Sequence, residues 1–138
     1  MIPRKLFLDT GCMVARELVR DQFHEKASTA WKKLAESQCR LFCSEHVFDE
    51  CMTLLGRRHS YAFASRCGAN YLDTQLIHWL TTTEDDLRLA LRLMKKYADQ
   101  GVSYTDCISI VLMQREGIKQ VFGFDHHFTA ARLKLWPV

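Results

Sequence analysis

Four acidic residues stand where the chain changes direction. Asp9 follows the apolar run Leu6-Phe7-Leu8, Glu50 lies inside HVFDECM, Asp106 opens TDCISIVLM, and Asp125 follows VFGF. Two of these carboxylates end strand-like runs and two lie on the apolar sides of helical patterns. An unpaired acid in such surroundings is costly. A shared hard cation removes that cost, and divalent magnesium or manganese prefers oxygen ligands. The chemistry this predicts is metal-assisted hydrolysis of phosphodiester bonds, that of a nuclease.

Each acid also has an ordinary reading. Asp9, before Thr10-Gly11, is a good helix N-cap. Glu50 has a close neighbour in Asp49, and helix geometry separates the two. Glu45, Asp49 and Thr53 share a polar stripe, whereas Glu50 shares its face with Val47 and Leu54. Asp49 is therefore read as solvated and Glu50 as pointing to the core edge, where a metal or an arginine is its alternative partner. Asp106 complements the positive end of a helix as well as it ligates an ion. Asp125 suits a turn. The following pair, His126-His127, is read as an exposed loop or at most one phosphate contact, because no third nitrogen or sulfur ligand is evident.

The elements that must position these acids are legible in outline. Strands are expected at Lys5 to Asp9, Arg40 to Cys43, Gln75 to Leu80, Gln120 to Phe124 and, at an edge, Leu133 to Trp136. Helices are expected from Gly11 to Val19, from Phe23 to Ser37, from a Ser44 cap to about Gly56, and from Tyr61 to Leu72. Thr83 and Asp86 form a capping-box-like pair opening a helix whose apolar face is Leu87, Ala90, Leu91, Met94 and Tyr97. Gly101 ends it. Ser103 caps the next helix, placing Asp106 in its first turn, and a short helix follows from His127 to Ala131. Alternating strands and helices argue for a parallel sheet covered on both faces. Ligands of such sheets gather beyond the carboxyl ends of the strands, where Asp9 and Asp125 fall.

The 138 residues suggest one domain spanning 1–138, and 48% hydrophobic with 25% charged content fits a soluble globular protein. The net charge of +3 hides an asymmetry, since four acids are gathered at one proposed site. Lys32-Lys33, Arg57-Arg58-His59 and Lys95-Lys96 are basic clusters, read as solvated helix faces or as contacts to a polyanion. The six cysteines form no C-x-x-C pair, and Cys39 with Cys43 lacks two further zinc ligands. With no signal peptide and no apolar run long enough to cross a bilayer, the expectation is a reduced, cytoplasmic protein without disulfides. Trp31, Tyr61, Phe63 and Trp79 are read mostly as core rather than as a partner groove.

Over nearly the whole chain these pieces resemble the PIN-domain ribonucleases, including the VapC-type toxins of toxin–antitoxin pairs. LFLDTG resembles the opening strand and first acid. SEHVFDECMTLL resembles the segment with the helix-borne Glu, matching Glu50. SYTDCISIVLMQREG resembles the stretch with the third acid, Asp106. VFGFDHHF resembles the closing strand with the fourth acid, Asp125, and the aromatic Phe128. Gly11 departs from the pattern where many members carry a hydroxyl or amide, so Thr10 or Thr105 is expected to supply a supporting oxygen.

The resemblance implies a three-layer α/β/α sandwich around a mostly parallel sheet of four to five strands. It implies RNA cleavage with one or two Mg²⁺ or Mn²⁺ ions on Asp9, Glu50, Asp106 and Asp125, frequent homodimerisation, and a small antitoxin partner in toxin members. Arg16, Arg20, Arg57 and Arg58 are the candidates for holding RNA. The alternatives are a DNA-directed nuclease with the same chemistry and an inactive α/β module that binds RNA or protein.

Overall fold

The computed structural model describes residues 1–137. Its strands are β1 (Lys5–Leu8), β2 (Arg40–Ser44), β3 (Ile77–Leu80), β4 (Gln120–Phe122) and β5 (Lys134–Trp136). They form one sheet in the order β3-β2-β1-β4-β5, and every neighbouring pair is parallel. The central strand β1 carries Leu6, Phe7 and Leu8, all fully buried, as a strand covered on both faces requires.

The helices are α1 (Thr10–Glu17), α2 (His24–Ala35), α3 (Glu45–Arg58), α4 (Tyr61–Asp73), α5 (Glu84–Lys96) and α6 (Tyr104–Glu116). From β1 to β3 the chain steps one way across the sheet; after β3 it crosses back over β2 and β1 to β4. Right-handed crossovers therefore place α1 to α4 on one face and α5 with α6 on the other. Contacts agree, since α1 packs on α2 and α3, α3 on α4, and α5 on α6. The three-layer α/β/α architecture with a parallel five-stranded sheet is thus the observed one.

Local chemistry sets the ends of these elements. Ser44 Oγ accepts from the Val47 amide, Ser60 Oγ from Phe63, and Ser103 Oγ from Asp106. Thr83 and Asp86 complete a reciprocal capping box. Gly117 ends α6 with φ +68°, a conformation that favours glycine.

Several boundaries differ from the sequence reading: α1 ends at Glu17 rather than Val19, α2 at Ala35 rather than Ser37, and α5 at Lys96, with Gly101 ending the 3-10 turn Ala98–Gln100 that follows. β4 stops at Phe122 rather than Phe124, because Gly123 lies against Asp9 and the chain turns there. β3 begins at Ile77 rather than Gln75. α3 runs on to Arg58, since Gly56 is buried within the helix beneath the Tyr61 ring and the following Ser60 caps α4. The interior face of α5 is also rotated. Ala90 and Tyr97 are buried as expected, but Leu91 and Met94 are 55% and 42% exposed. The face turns instead through buried Asp86, whose carboxylate caps α5 and pairs with Arg115 of α6. Of the four aromatics read as core, Trp31, Phe63 and Trp79 pack on it, whereas Tyr61 is exposed.

The capping box can be tested apart from the cleft. Thr83→Ala is expected to lower unfolding free energy by about 1 kcal/mol, read as a shifted urea midpoint at unchanged slope. An unchanged midpoint would show that the box does not hold the start of α5.

Candidate metal centre and active-site cleft

The sheet reverses its winding between β1 and β4, and crevices at such a point open beyond the carboxyl ends of the strands. An open cleft of about 760 Å³ lies there, and Asp9, Glu50, Asp106 and Asp125 all line it. Asp9 directly follows β1, and its amide donates to the Phe122 carbonyl of β4 at 3.1 Å. Glu50 reaches the cleft from α3, Asp106 from the first turn of α6, and Asp125 from the turn after β4.

Asp9 is the most constrained of the four. It occupies the N-cap position of α1 yet makes no side-chain capping hydrogen bond. It is only 5% exposed, and its Oδ1 is buried with no hydrogen-bond partner. Burial pushes its pKa well above the usual carboxylate value, and the Asp106, Glu50 and Asp125 carboxylates push further. The adjacent Thr10 amide opposes the rise without offsetting it. A Cβ built on Gly123 would lie 3.1 Å from Asp9 Cβ and 3.2 Å from Oδ2, so the bare glycine lets β4 close over this carboxylate.

The other acids are held more loosely. Thr10 Oγ1 donates to Glu50 Oε1 at 2.6 Å. The partner of Glu50 is thus a hydroxyl, and no ion pair to Glu50 occurs among the described residues. Asp49, one position earlier, is exposed, as the helix spacing required. Asp106 is 6% exposed, and its pKa is raised by burial and then by Asp125, with His127 pulling the other way. Asp125 Oδ1 accepts from the His127 amide at 2.9 Å, so its turn role is real and coexists with its place in the cleft.

Several surrounding residues fall elsewhere than the sequence suggested. His126 is exposed, but His127 is not a loop bystander: its Nδ1 lies 3.1 Å from Asp125 Oδ1 and 3.4 Å from Asp106 Oδ2. Thr10 supports the acids, whereas Thr105 lies outside the cleft lining and accepts from Ser109 through its carbonyl. Of the four arginines only Arg58 lines the cleft, at its mouth, bridged to Asp21 at 2.8 Å. Glu50, Leu54 and Arg58 share one helix face at intervals of four, and Arg57 falls off it. Arg16 lies off the α1 face of Thr10 and Val14; it stacks over Trp31 at 4.7 Å and lines a separate cavity. Arg20 is exposed and outside the lining. Phe23 and Phe124 stack at 4.3 Å along one wall, a pairing no local pattern announces.

Cys39 and Cys43 gain no further ligands, since the one metal-competent group among the described residues is Asp106, Asp125 and His127. All six cysteines are free. Among the described residues no helix is long and apolar enough to cross a membrane.

Comparison with known proteins agrees with this architecture. The PIN domain family model matches residues 6–133. The chain belongs to the PIN domain family. This PIN domain is 29% identical over 126 residues to the 23S rRNA-specific endonuclease VapC20 of Mycobacterium tuberculosis, covering 91% of this chain and 93% of that protein. It is 26% identical over 124 residues to a VapC ribonuclease of Archaeoglobus fulgidus, covering 88% and 78% respectively. The crystal structure of M. tuberculosis VapC20, described as a sarcin-ricin loop cleaving toxin, superposes with a TM-score of 0.84 at 26% identity. That match covers 93% of this chain and 95% of the other.

The raised pKa of Asp9 has a definite sign. At low pH both folded and unfolded chains hold the Asp9 proton and the residue costs nothing. As pH rises through its folded pKa, the fold must bear the ionised form and stability is lost. In chelator-treated protein Asp9→Asn is therefore expected to raise Tm at about pH 8, with the gain shrinking towards about pH 4. Equal melting of the two proteins across that range would contradict a strained carboxylate.

Proposed function

We propose that this PIN domain is a divalent-metal-dependent endoribonuclease and the toxin of a two-protein toxin–antitoxin pair. The observation that carries the reading is the buried, unpartnered Oδ1 of Asp9 among three further carboxylates. A cation bound beside that oxygen would supply the partner it lacks. Asp9, Glu50, Asp106 and Asp125 would hold one or two Mg²⁺ or Mn²⁺ ions, since magnesium keeps several waters and needs few protein oxygens. A bound ion supplies Lewis acidity, acidifying water and stabilising charge on phosphoryl and departing oxygens.

The chain's own groups arrange that centre. The Thr10 hydroxyl orients Glu50, the Ser103 cap fixes the turn bearing Asp106, and Gly123 admits Asp9 beneath β4. Arg58 offers a partly exposed guanidinium at the cleft mouth for a phosphate. RNA is favoured over DNA by the two named VapC relatives, one an rRNA-specific endonuclease and the other a ribonuclease. A single-stranded or looped segment suits the open cleft, because exposed bases can be splayed while the backbone meets the acids. The same relatives support a small antitoxin as partner and action in the cytoplasm, and the family resemblance supports a homodimer.

Asp106→Asn is expected to keep the fold by circular dichroism and to lose RNA cleavage. The loss should exceed the roughly 10–100-fold typical when an outer partner of a metal site is removed. Labelled RNA and DNA compared under Mn²⁺ should show cleavage of RNA alone. Full activity in the folded variant would reject the assignment.

The toxin role has its own readout. Expression should arrest growth, relieved by the small protein encoded beside it, and harmless expression of an active enzyme would remove that role.

A further inference from the structure

His127 lies at the acidic centre but has no part in the reading above. Its Nδ1 is 3.1 Å from Asp125 Oδ1 and 3.4 Å from Asp106 Oδ2, and the three ligand atoms fall within 4.8 Å of one another. Adjacent ligands of an octahedral ion bound at about 2.1 Å are themselves separated by about 3.0 Å. The two N···O distances, which are direct contacts here, are also compatible with neighbouring ligands on one ion. The ring is also anchored, because the His127 amide donates to Asp125 Oδ1 at 2.9 Å and starts the 3-10 helix His126–Ala131. A second observation points to an ion in the same cleft: Asp9 Oδ1 is buried without a partner. His126, one residue earlier, is exposed and makes no such approach among the described contacts.

We propose that His127 donates an imidazole nitrogen to the metal centre beside Asp106 and Asp125, so that the site takes Mn²⁺ in preference to Mg²⁺. Magnesium binds through oxygen and water, whereas first-row transition ions accept imidazole. One nitrogen among several carboxylates shifts selectivity without closing the site to magnesium. The inference rests on the metal-dependent reading of the cleft and adds to it a donor and a preference.

Pulsed electron paramagnetic resonance on the Mn²⁺-loaded full chain tests it without relying on activity. A nitrogen coupling from ligated imidazole is expected in the wild type, and labelling histidine with ¹⁵N should convert it to the ¹⁵N pattern with no substitution made. His127→Gln should abolish the coupling and His126→Gln should retain it. The ratio of Mg²⁺ to Mn²⁺ dissociation constants should fall by about tenfold or more in His127→Gln, a scale that even outer partners of metal sites reach. Bound Mn²⁺ with no histidine coupling would overturn the inference and leave the nuclease reading standing. Coupling lost in His126→Gln but kept in His127→Gln would also overturn it. A wild-type protein that binds no divalent ion would overturn both readings together.

Discussion

The structure turns on the repulsion among four carboxylates gathered at one end of one sheet. Asp9 bears most of it. It is buried and lacks a partner for one oxygen, and three like charges raise its pKa. Buried ionised groups persist when something compensates them. Elsewhere in this molecule the compensation is visible: buried Asp86 meets Arg115 and the backbone amide of Thr83. Asp9 has no such arrangement, and among the described residues the basic group in direct contact with the cluster is the His127 ring, half-exposed and set against Asp106 and Asp125. The contrast between Asp86 and Asp9 separates a paired buried acid from an unpaired one.

Topology explains how acids so far apart in sequence meet. The strand order carries β1 to the centre and makes β4 its neighbour on the side opposite β2. Asp9 and Asp125 therefore leave adjacent strand ends. α3 and α6 belong to different layers, yet each sends a carboxylate to the same end of the sheet. Both faces thus contribute to one cleft, and Leu6, Phe7 and Leu8 of β1 are fully buried between the layers. Gly123 removes the one atom, a Cβ, that would separate Asp9 from β4. The opposite ends of the strands have the reverse character. A cavity of about 680 Å³ there is lined by Arg4, Lys5, Arg40 and Lys119, with no carboxylate. The charge of the molecule is thus polarised along the strand direction, which the modest net value conceals.

Much of this was legible in the sequence, for identifiable reasons. Alternating apolar strands and capped helices carry strong local signals, so Ser44, Ser103 and Thr83 mark helix starts that the hydrogen bonds bear out. The separation of Glu50 from Asp49 followed from helix spacing alone. What stayed hidden depended on rotation or on contacts across the fold. The inward face of α5 runs through Asp86, Ala90, Leu93 and Tyr97, and the Arg115 that pairs with Asp86 lies on another helix, outside any local window of sequence. Arg16 shares a helix with Thr10 but not a face, and the Trp31 ring draws it away from the cleft. His127 differs from His126 only by its place in a turn, and that turn exists because Asp125 caps it.

The balance of charge also bears on how an acidic cleft can serve a polyanion. Without a cation, the cluster opposes the approach of a phosphate backbone, and Arg58 at the mouth is already engaged by Asp21. On the proposed reading a bound cation would take these oxygens as ligands and reduce the negative charge of the cleft. Ion binding to the folded chain also stabilises it by mass action, by an amount that grows with ion concentration. Occupancy, stability and substrate access are then three readings of one equilibrium. A fold that filled Asp9 Oδ1 with an internal partner would be sturdier when metal-free, but it would separate these three properties. On the proposed reading, the unpartnered oxygen would tie substrate binding to the presence of the ion that the chemistry requires.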